Sequence, residues 1–176
     1  MSKNNYVYYL NLPHKKDSDA TQIILESLHI INYKSVFPGI NHIPFTVRKV
    51  FQKIQADQIL NKIKRKLDIV WSFDPYRFQY LSMFNSFLNI YHPVDIHDTP
   101  VEENIVNSCH VIFGSSDKIL ERFSYTKKPI LKIGHGLADY FLHPITPIKS
   151  FIREPNRFNV GLIGNLHYSY LDHNTL

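Results

Sequence analysis

Ile90-Tyr91-His92-Pro93-Val94-Asp95-Ile96-His97-Asp98 is the stretch on which the reading of this chain turns. It closes an apolar run that reads as a buried strand, and His92, Asp95, His97 and Asp98 then crowd into a short loop. Pro93 stops the backbone from continuing as a regular strand or entering a helix there. Ionisable side chains are thus presented at a strand end, where open α/β sheets hold their ligands.

Working outward, the pattern alternates. Toward the C-terminus, Val101 to Cys109 reads as a short helix with Thr99 as its cap and Glu102 and Glu103 at its positive end. His110 to Phe113 reads as a strand, Ser116 to Phe123 as a helix, and Pro129 to Ile133 and Asn159 to Ile163 as strands. Toward the N-terminus, Asp68 to Phe73 is a strand broken by Asp74-Pro75. Before it, Pro44 to Leu67 has the helical period, with Val47, Val50, Ile54, Leu60, Ile63 and Leu67 on one face. The other face is basic (Arg48, Lys49, Lys53, Lys62, Lys64, Arg65 and Lys66 against Asp57), either a solvated surface or one that rests on anionic lipid. Tyr6 to Leu12 reads as the first strand. A helix capped at Ser18 or Asp19 is expected to reach about His29, and Ile30 to Phe37 reads as the next strand, closed by Pro38-Gly39. Strand and helix alternate throughout, so the class is α/β with a mainly parallel sheet. Pro144, Pro147 and Pro155 mark an aperiodic, linker-like stretch between Phe141 and Phe158.

Bulk properties narrow the classes. With 176 residues, 44% of them hydrophobic and 14% aromatic, the chain is globular, with room for one domain or one plus part of another. A formal charge of +5 suits an anionic partner without choosing one. Cys109 is the single cysteine, which excludes an internal disulfide and suits a reducing compartment. No signal peptide opens the chain, and no window approaches the ~20 apolar residues of a membrane span. The expected location is cytoplasmic.

Several fingerprints fail. Leu12-Pro13-His14-Lys15-Lys16 after the first strand is not a glycine-rich dinucleotide turn, and no phosphate-cradling glycine loop ends in Lys-Ser or Lys-Thr. Gly114-Ser115-Ser116 lacks the second glycine of a nucleophile elbow, so Ser115 or Ser116 reads as a helix cap. Cys109 reads as a packed side chain. The His92/Asp95/His97/Asp98 cluster admits three readings: a metal site, a set of satisfied turn side chains, or a loop whose imidazoles and carboxylates bond sugar hydroxyls. In Lys132-Ile133-Gly134-His135-Gly136-Leu137, two glycines flank a histidine after a strand, either as a tight turn or to let a ligand approach the backbone. Gly164-Asn165 stands in a similar place, where an amide at a helix N-terminus could meet a phosphate.

Five segments in order resemble glycosyltransferases of the two-Rossmann-domain (GT-B) type, especially bacterial group 1 enzymes of surface-polysaccharide synthesis. They are Asp68-Ile-Val-Trp71 with Pro75, Tyr91-His-Pro-Val-Asp95 with Asp98, Glu103 to Ser116, Ile133 to Phe141, and Asn159 to Leu166. The match spans about Asp68 to Leu166, and the first third shares only the alternation.

The resemblance implies a Rossmann-like parallel sheet with helices on both faces, the N-terminal half of a GT-B fold. It divides the chain into an acceptor-side domain (1–141), a linker (142–157) and the start of a donor domain (158–176). His92 and Asp95 would be catalytic, on the floor of the interdomain cleft. Asp74 would face the acceptor, Gly134, His135 and Gly136 would form the last loop before the linker, and Gly164 with Asn165 would lie near the nucleotide phosphates. The partners implied are a nucleotide-sugar donor and a glycan or lipid-linked acceptor, with peripheral contact at the inner face of an anionic membrane and no nucleic acid. No metal or cofactor is required, because backbone amides and basic side chains can neutralise a leaving diphosphate. The donor half's usual glutamate motif is absent from these residues, so the fragment alone is expected to be inactive. The competing readings are a metal-dependent hydrolase using His92, Asp95 and His97, and a non-catalytic module that binds through the basic helix.

Overall fold

The computed structural model describes residues 5–13, 22–37, 39–40, 43–134 and 136. Contacts along the chain divide it between His135 and Gly136, and the architecture below belongs to the first unit. Its elements run β1 (Val7–Leu10), β2 (Gln22–Leu25), β3 (Leu28–Ile31), α1 (Phe45–Ile63) and β4 (Ile69–Ser72). A 3-10 turn at Leu81–Phe84 leads to β5 (Leu88–Tyr91), followed by α2 (Glu102–Ser108), β6 (Val111–Gly114), α3 (Asp117–Glu121) and β7 (Ile130–Lys132).

The class is α/β, as expected. Strands β4-β5-β6-β7 form a four-stranded sheet in that order, parallel throughout and flanked by helices in a Rossmann-like manner. Because paired residues of a parallel sheet share a face, Val70, Tyr91 and Ile112 point one way. They meet Ile105 and Val106 of α2 and Ile119 of α3, and Phe123 closes that core. Gly114 is buried at the end of β6, and a β-carbon there would sit 2.4 Å from Leu120 Cδ2, so any larger residue would displace the Leu120 side chain of α3.

Three expectations are corrected. The helix proposed to run to His29 is, in its described part, a hairpin: β2 and β3 pair antiparallel, and β1 pairs parallel with β3 in a separate sheet. Ile23-Ile24-Leu25 and Ile30-Ile31 are adjacent β-branched and aliphatic residues, which fit a pleated ribbon better than a helix. The helix over Pro44 to Leu67 forms as α1, ending where Lys64 takes a left-handed cap and donates to the Leu60 carbonyl. Of its expected face, Ile63 is buried and Leu60 and Leu67 pack against the core, but the N-terminal half is turned outward.

Val47, Val50 and Ile54 are 45%, 59% and 41% exposed, while Gln52, Gln55, Ala56, Ile59 and Ile63 are buried. Two glutamines reach the core because each satisfies loop backbone. Gln52 donates to the Arg77 carbonyl and accepts from the Gln79 amide, and Gln55 accepts from the Val36 amide at 2.7 Å. Finally, α2 has Val101 at its cap position with no side-chain cap, and Thr99, two residues before it, accepts from the Val101 amide instead. Ser116 does cap α3, accepting from the Ile119 amide.

Candidate functional site

The carboxyl ends of β4 to β7 open at one edge of the parallel sheet, and the residues singled out in the sequence emerge there. The backbone is tied at each step. His92 N–H donates to the Ser72 carbonyl at 2.8 Å, and Ile133 N–H donates to the Gly114 carbonyl at 2.9 Å. Asp74 leaves β4 in an Asx turn, its Oδ1 accepting from the Tyr76 amide at 2.7 Å, with Pro75 fully buried behind it. Gly134 leaves β7, with open space around the position of a β-carbon, and Gly136 is likewise open. Among the described residues, neither glycine is required by packing.

The loop after β5 is bracketed by a buried ionic network. At its start, Tyr91 is wholly buried and its hydroxyl donates to Glu102 Oε1 at 2.7 Å. Glu102 Oε2 accepts from Arg122 at 2.7 Å, and the same guanidinium donates to the His97 carbonyl at the loop's far end. Glu102 is only 6% exposed, so its charge is tolerated because both oxygens are occupied. Burial, with the bond to Glu102 reinforcing it, pushes the Tyr91 phenol far above its ordinary range. Both ends of the loop are therefore pinned to one buried pair, while Val94, Asp95 and Ile96 stay exposed between them and Asp98 just beyond.

His92 stands among aromatic rings. Its imidazole lies 5.2 Å from the Phe73 ring, 5.9 Å from Trp71 and 6.1 Å from Phe113. His97 is elsewhere, edge-on to Tyr76 at 5.6 Å. The two imidazoles thus occupy different surroundings. Among the described residues, no group of three His, Cys, Asp or Glu side chains comes together as a metal ligand set. The His92/Asp95/His97 assembly that a metal-dependent hydrolase needs is not formed.

Cys109 is the packed side chain expected: 1% exposed, its thiol pushed by burial up to about 11, with Lys128 opposing. Asp74 and His92 are brought to one edge by neighbouring strands, and Asp95 lies exposed on the pinned loop. His135, Gly164 and Asn165 lie outside the described residues, as do the linker and the 158–176 segment.

Sequence reasoning missed two features. Glu102 looked like a helix-end acid, and nothing in the spacing ties it to Arg122 twenty positions on. The aromatic cluster around His92 had a signal, since Trp71 and Phe73 alternate on one side of a strand. Comparison with family models, curated proteins and solved structures finds no match to this chain.

Proposed function

We propose that this chain is the acceptor-side part of a glycosyltransferase that moves a sugar from a nucleotide-sugar to a glycan or lipid-linked acceptor. The observation that carries the reading is the pinned loop. A buried Tyr91–Glu102–Arg122 network holds the segment bearing His92 and Asp95 at the carboxyl edge of a parallel sheet, beside Asp74. Such an edge is where open α/β sheets bind ligands, and fixed side chains there cost little to reorganise. In this role the Asp95 carboxylate and the His92 imidazole bond sugar hydroxyls or move a proton, and Asp74 orients the acceptor. Nucleotide-sugar contacts fall mostly to Gly164, Asn165 and residues outside this chain.

Saturation-transfer NMR with neutral saccharides and with nucleotide-sugars tests it. The expected result is saccharide contact that weakens in Asp74→Ala and Asp95→Ala. Nucleotide-sugar contact without saccharide contact would reverse the acceptor assignment, and contact with neither would end the glycosyltransferase reading.

Peripheral contact with an anionic membrane is favoured by the exposed Val47, Val50 and Ile54 of α1; of the nearby cations, Lys53 pairs with Asp57 and Lys49 lies over the Tyr80 ring. Retention by phosphatidylserine vesicles but not by neutral ones is expected in co-sedimentation. Equal recovery from both supernatants would remove the membrane from the scheme. Among the described residues, no helix is long and apolar enough to cross one.

A further inference from the structure

The described strands form two sheets, β1-β3-β2 and β4-β5-β6-β7, and Arg77 reaches from the loop after β4 to the carboxyl end of β1. Its Nη1 donates to the Leu10 carbonyl at 3.0 Å and to the Asn11 carbonyl at 3.2 Å. One nitrogen makes both bonds, which uses its two hydrogens, and the guanidinium charge strengthens each. Tyr33, 4% exposed and just past β3, feels the Arg77 and Asp74 charges in opposite senses. The guanidinium and the carboxylate are therefore both within electrostatic reach of one buried phenol.

The segment on either side of Arg77 is tied down as well. Before it, Ser72 Oγ donates to the Asp74 carbonyl at 3.1 Å, Asp74 Oδ1 accepts from the Tyr76 amide, and Pro75 is fully buried. After it, Phe78 and Gln79 are buried. Gln52 of α1 accepts from the Gln79 amide and donates to the Arg77 carbonyl. Within this frame the Asp74 side chain stays half-exposed at the sheet edge.

We infer that Arg77 is a positioning residue: by fastening the loop after β4 to the end of β1, it sets where the Asp74 carboxylate stands. The inference rests on the proposed function for what Asp74 does there, and it names the residue that holds Asp74 in place. An Asx turn alone is a weak constraint, because its one bond joins a half-exposed carboxylate to an amide that water can satisfy equally well. A loop held by that bond opens locally without unfolding the sheet. Two charge-assisted bonds to a neighbouring strand remove this freedom, since the loop cannot swing outward without breaking both.

Amide hydrogen exchange of the whole chain tests this without any ligand. Tyr76 is the reporter, because its bond to Asp74 exists only while the turn is formed, and Asp74→Ala gives its fully released rate. Leu88 and Ile112, whose amides donate to the Asp68 and Pro129 carbonyls, report the sheet itself. In Arg77→Met, similar in length but without donors, Tyr76 should exchange about tenfold faster relative to those two amides. Arg77→Lys should recover most of the protection, since an ammonium also offers several donors from one nitrogen.

Equal acceleration of Tyr76, Leu88 and Ile112 in Arg77→Met overturns the inference, because Arg77 would then add only to global stability. An unchanged Tyr76 rate overturns it too. Should Arg77→Met not fold, the unaltered chain decides: separate Nη1 and Nη2 signals from a guanidinium that cannot rotate are expected, and one averaged signal overturns the tie to β1. Saccharide contact by NMR keeps this inference apart from the proposed function. Contact should weaken in Arg77→Met and return in Arg77→Lys. Full contact in Arg77→Met despite a released Tyr76 overturns the positioning role and leaves the transferase reading. No contact in the unaltered chain ends the transferase reading, and the Tyr76 comparison still decides whether Arg77 holds the turn.

Discussion

Breaking the buried network from both sides measures whether it acts as a unit. In Tyr91→Phe, Glu102 Oε1 loses the hydroxyl it accepts from at 2.7 Å. The carboxylate is 6% exposed and water has little access to replace the donor. Hydrogen bonds to charged groups are worth about 1.5–3 kcal/mol, so a loss of about 2 kcal/mol is expected. In Glu102→Leu the Tyr91 hydroxyl, wholly buried, loses its only acceptor in the network at a similar cost. Arg122 also loses its carboxylate, but its side chain is 29% exposed and keeps the His97 carbonyl, so solvent screening holds that part to about 1 kcal/mol. The single change therefore costs about 3 kcal/mol. In the double variant no orphaned hydroxyl and no orphaned carboxylate oxygen remain. Its cost should fall below the sum of the single costs by about 2 kcal/mol. Urea midpoints at constant slope give the three values, and amide exchange over His92 to Asp98 reports whether the loop loosens. Additivity within about 0.5 kcal/mol would refute the shared network.

Other expectations follow from burial. The Tyr33 phenol is raised by burial, with Arg77 opposing and Asp74 adding, and the Tyr91 phenol is raised by burial and by Glu102. Folding favours the protonated phenol in both, so stability should be full below about pH 10 and fall above it; Tyr91→Phe should flatten that fall in alkaline unfolding curves, and an unchanged slope would exclude Tyr91 as its source. Cys109, 1% exposed with its thiol raised to about 11, should resist an aromatic disulfide reagent at pH 8 and react at the rate of global unfolding. Immediate stoichiometric labelling would contradict the packing. On α1, Val50→Lys should shift the urea midpoint by less than about 0.5 kcal/mol, whereas Ile59→Ala should cost about 2–5 kcal/mol. The reverse order would mean that the helix buries its aliphatic stripe after all.

The α1 pair shows why part of this fold was legible and part was not. Helical period in Val47, Val50 and Ile54 located the helix well, since an aliphatic repeat of that spacing is poor in a strand. It located only half of the buried face, Leu60, Ile63 and Leu67 but not Val47, Val50 and Ile54. Period identifies an apolar stripe, but which stripe is buried depends on what the neighbouring backbone needs. Here the amides of Val36 and Gln79 and the carbonyl of Arg77 take their partners from Gln55 and Gln52, and those bonds turn the helix. The hairpin of β2 and β3 was missed for a related reason: a plausible cap at Ser18 or Asp19 outweighed a β-branched run that only pairing with β1 makes into a sheet.

The site divides along the same line. Strand ends broken by Asp74-Pro75 and by Pro93 are local facts, and both place their loops where expected. What fixes the second loop is not local. Tyr91 reads as a strand residue, Glu102 as a helix-end acid and Arg122 as one position of the helix Ser116 to Phe123, each reasonable alone. Their meaning arises only when β5, α2 and the segment after α3 bring a phenol, a carboxylate and a guanidinium within 2.7 Å of one another in pairs. A buried carboxylate between two donors is costly to keep for stability alone, since an apolar trio could fill the same space as well or better. Its return is geometric, because it fixes both ends of the His92–Asp98 loop at once. If the loop had no task, Tyr91→Phe with Glu102→Leu would cost stability alone. The proposed function instead requires that this double variant, less stable by about 3 kcal/mol but still folded, lose saccharide contact.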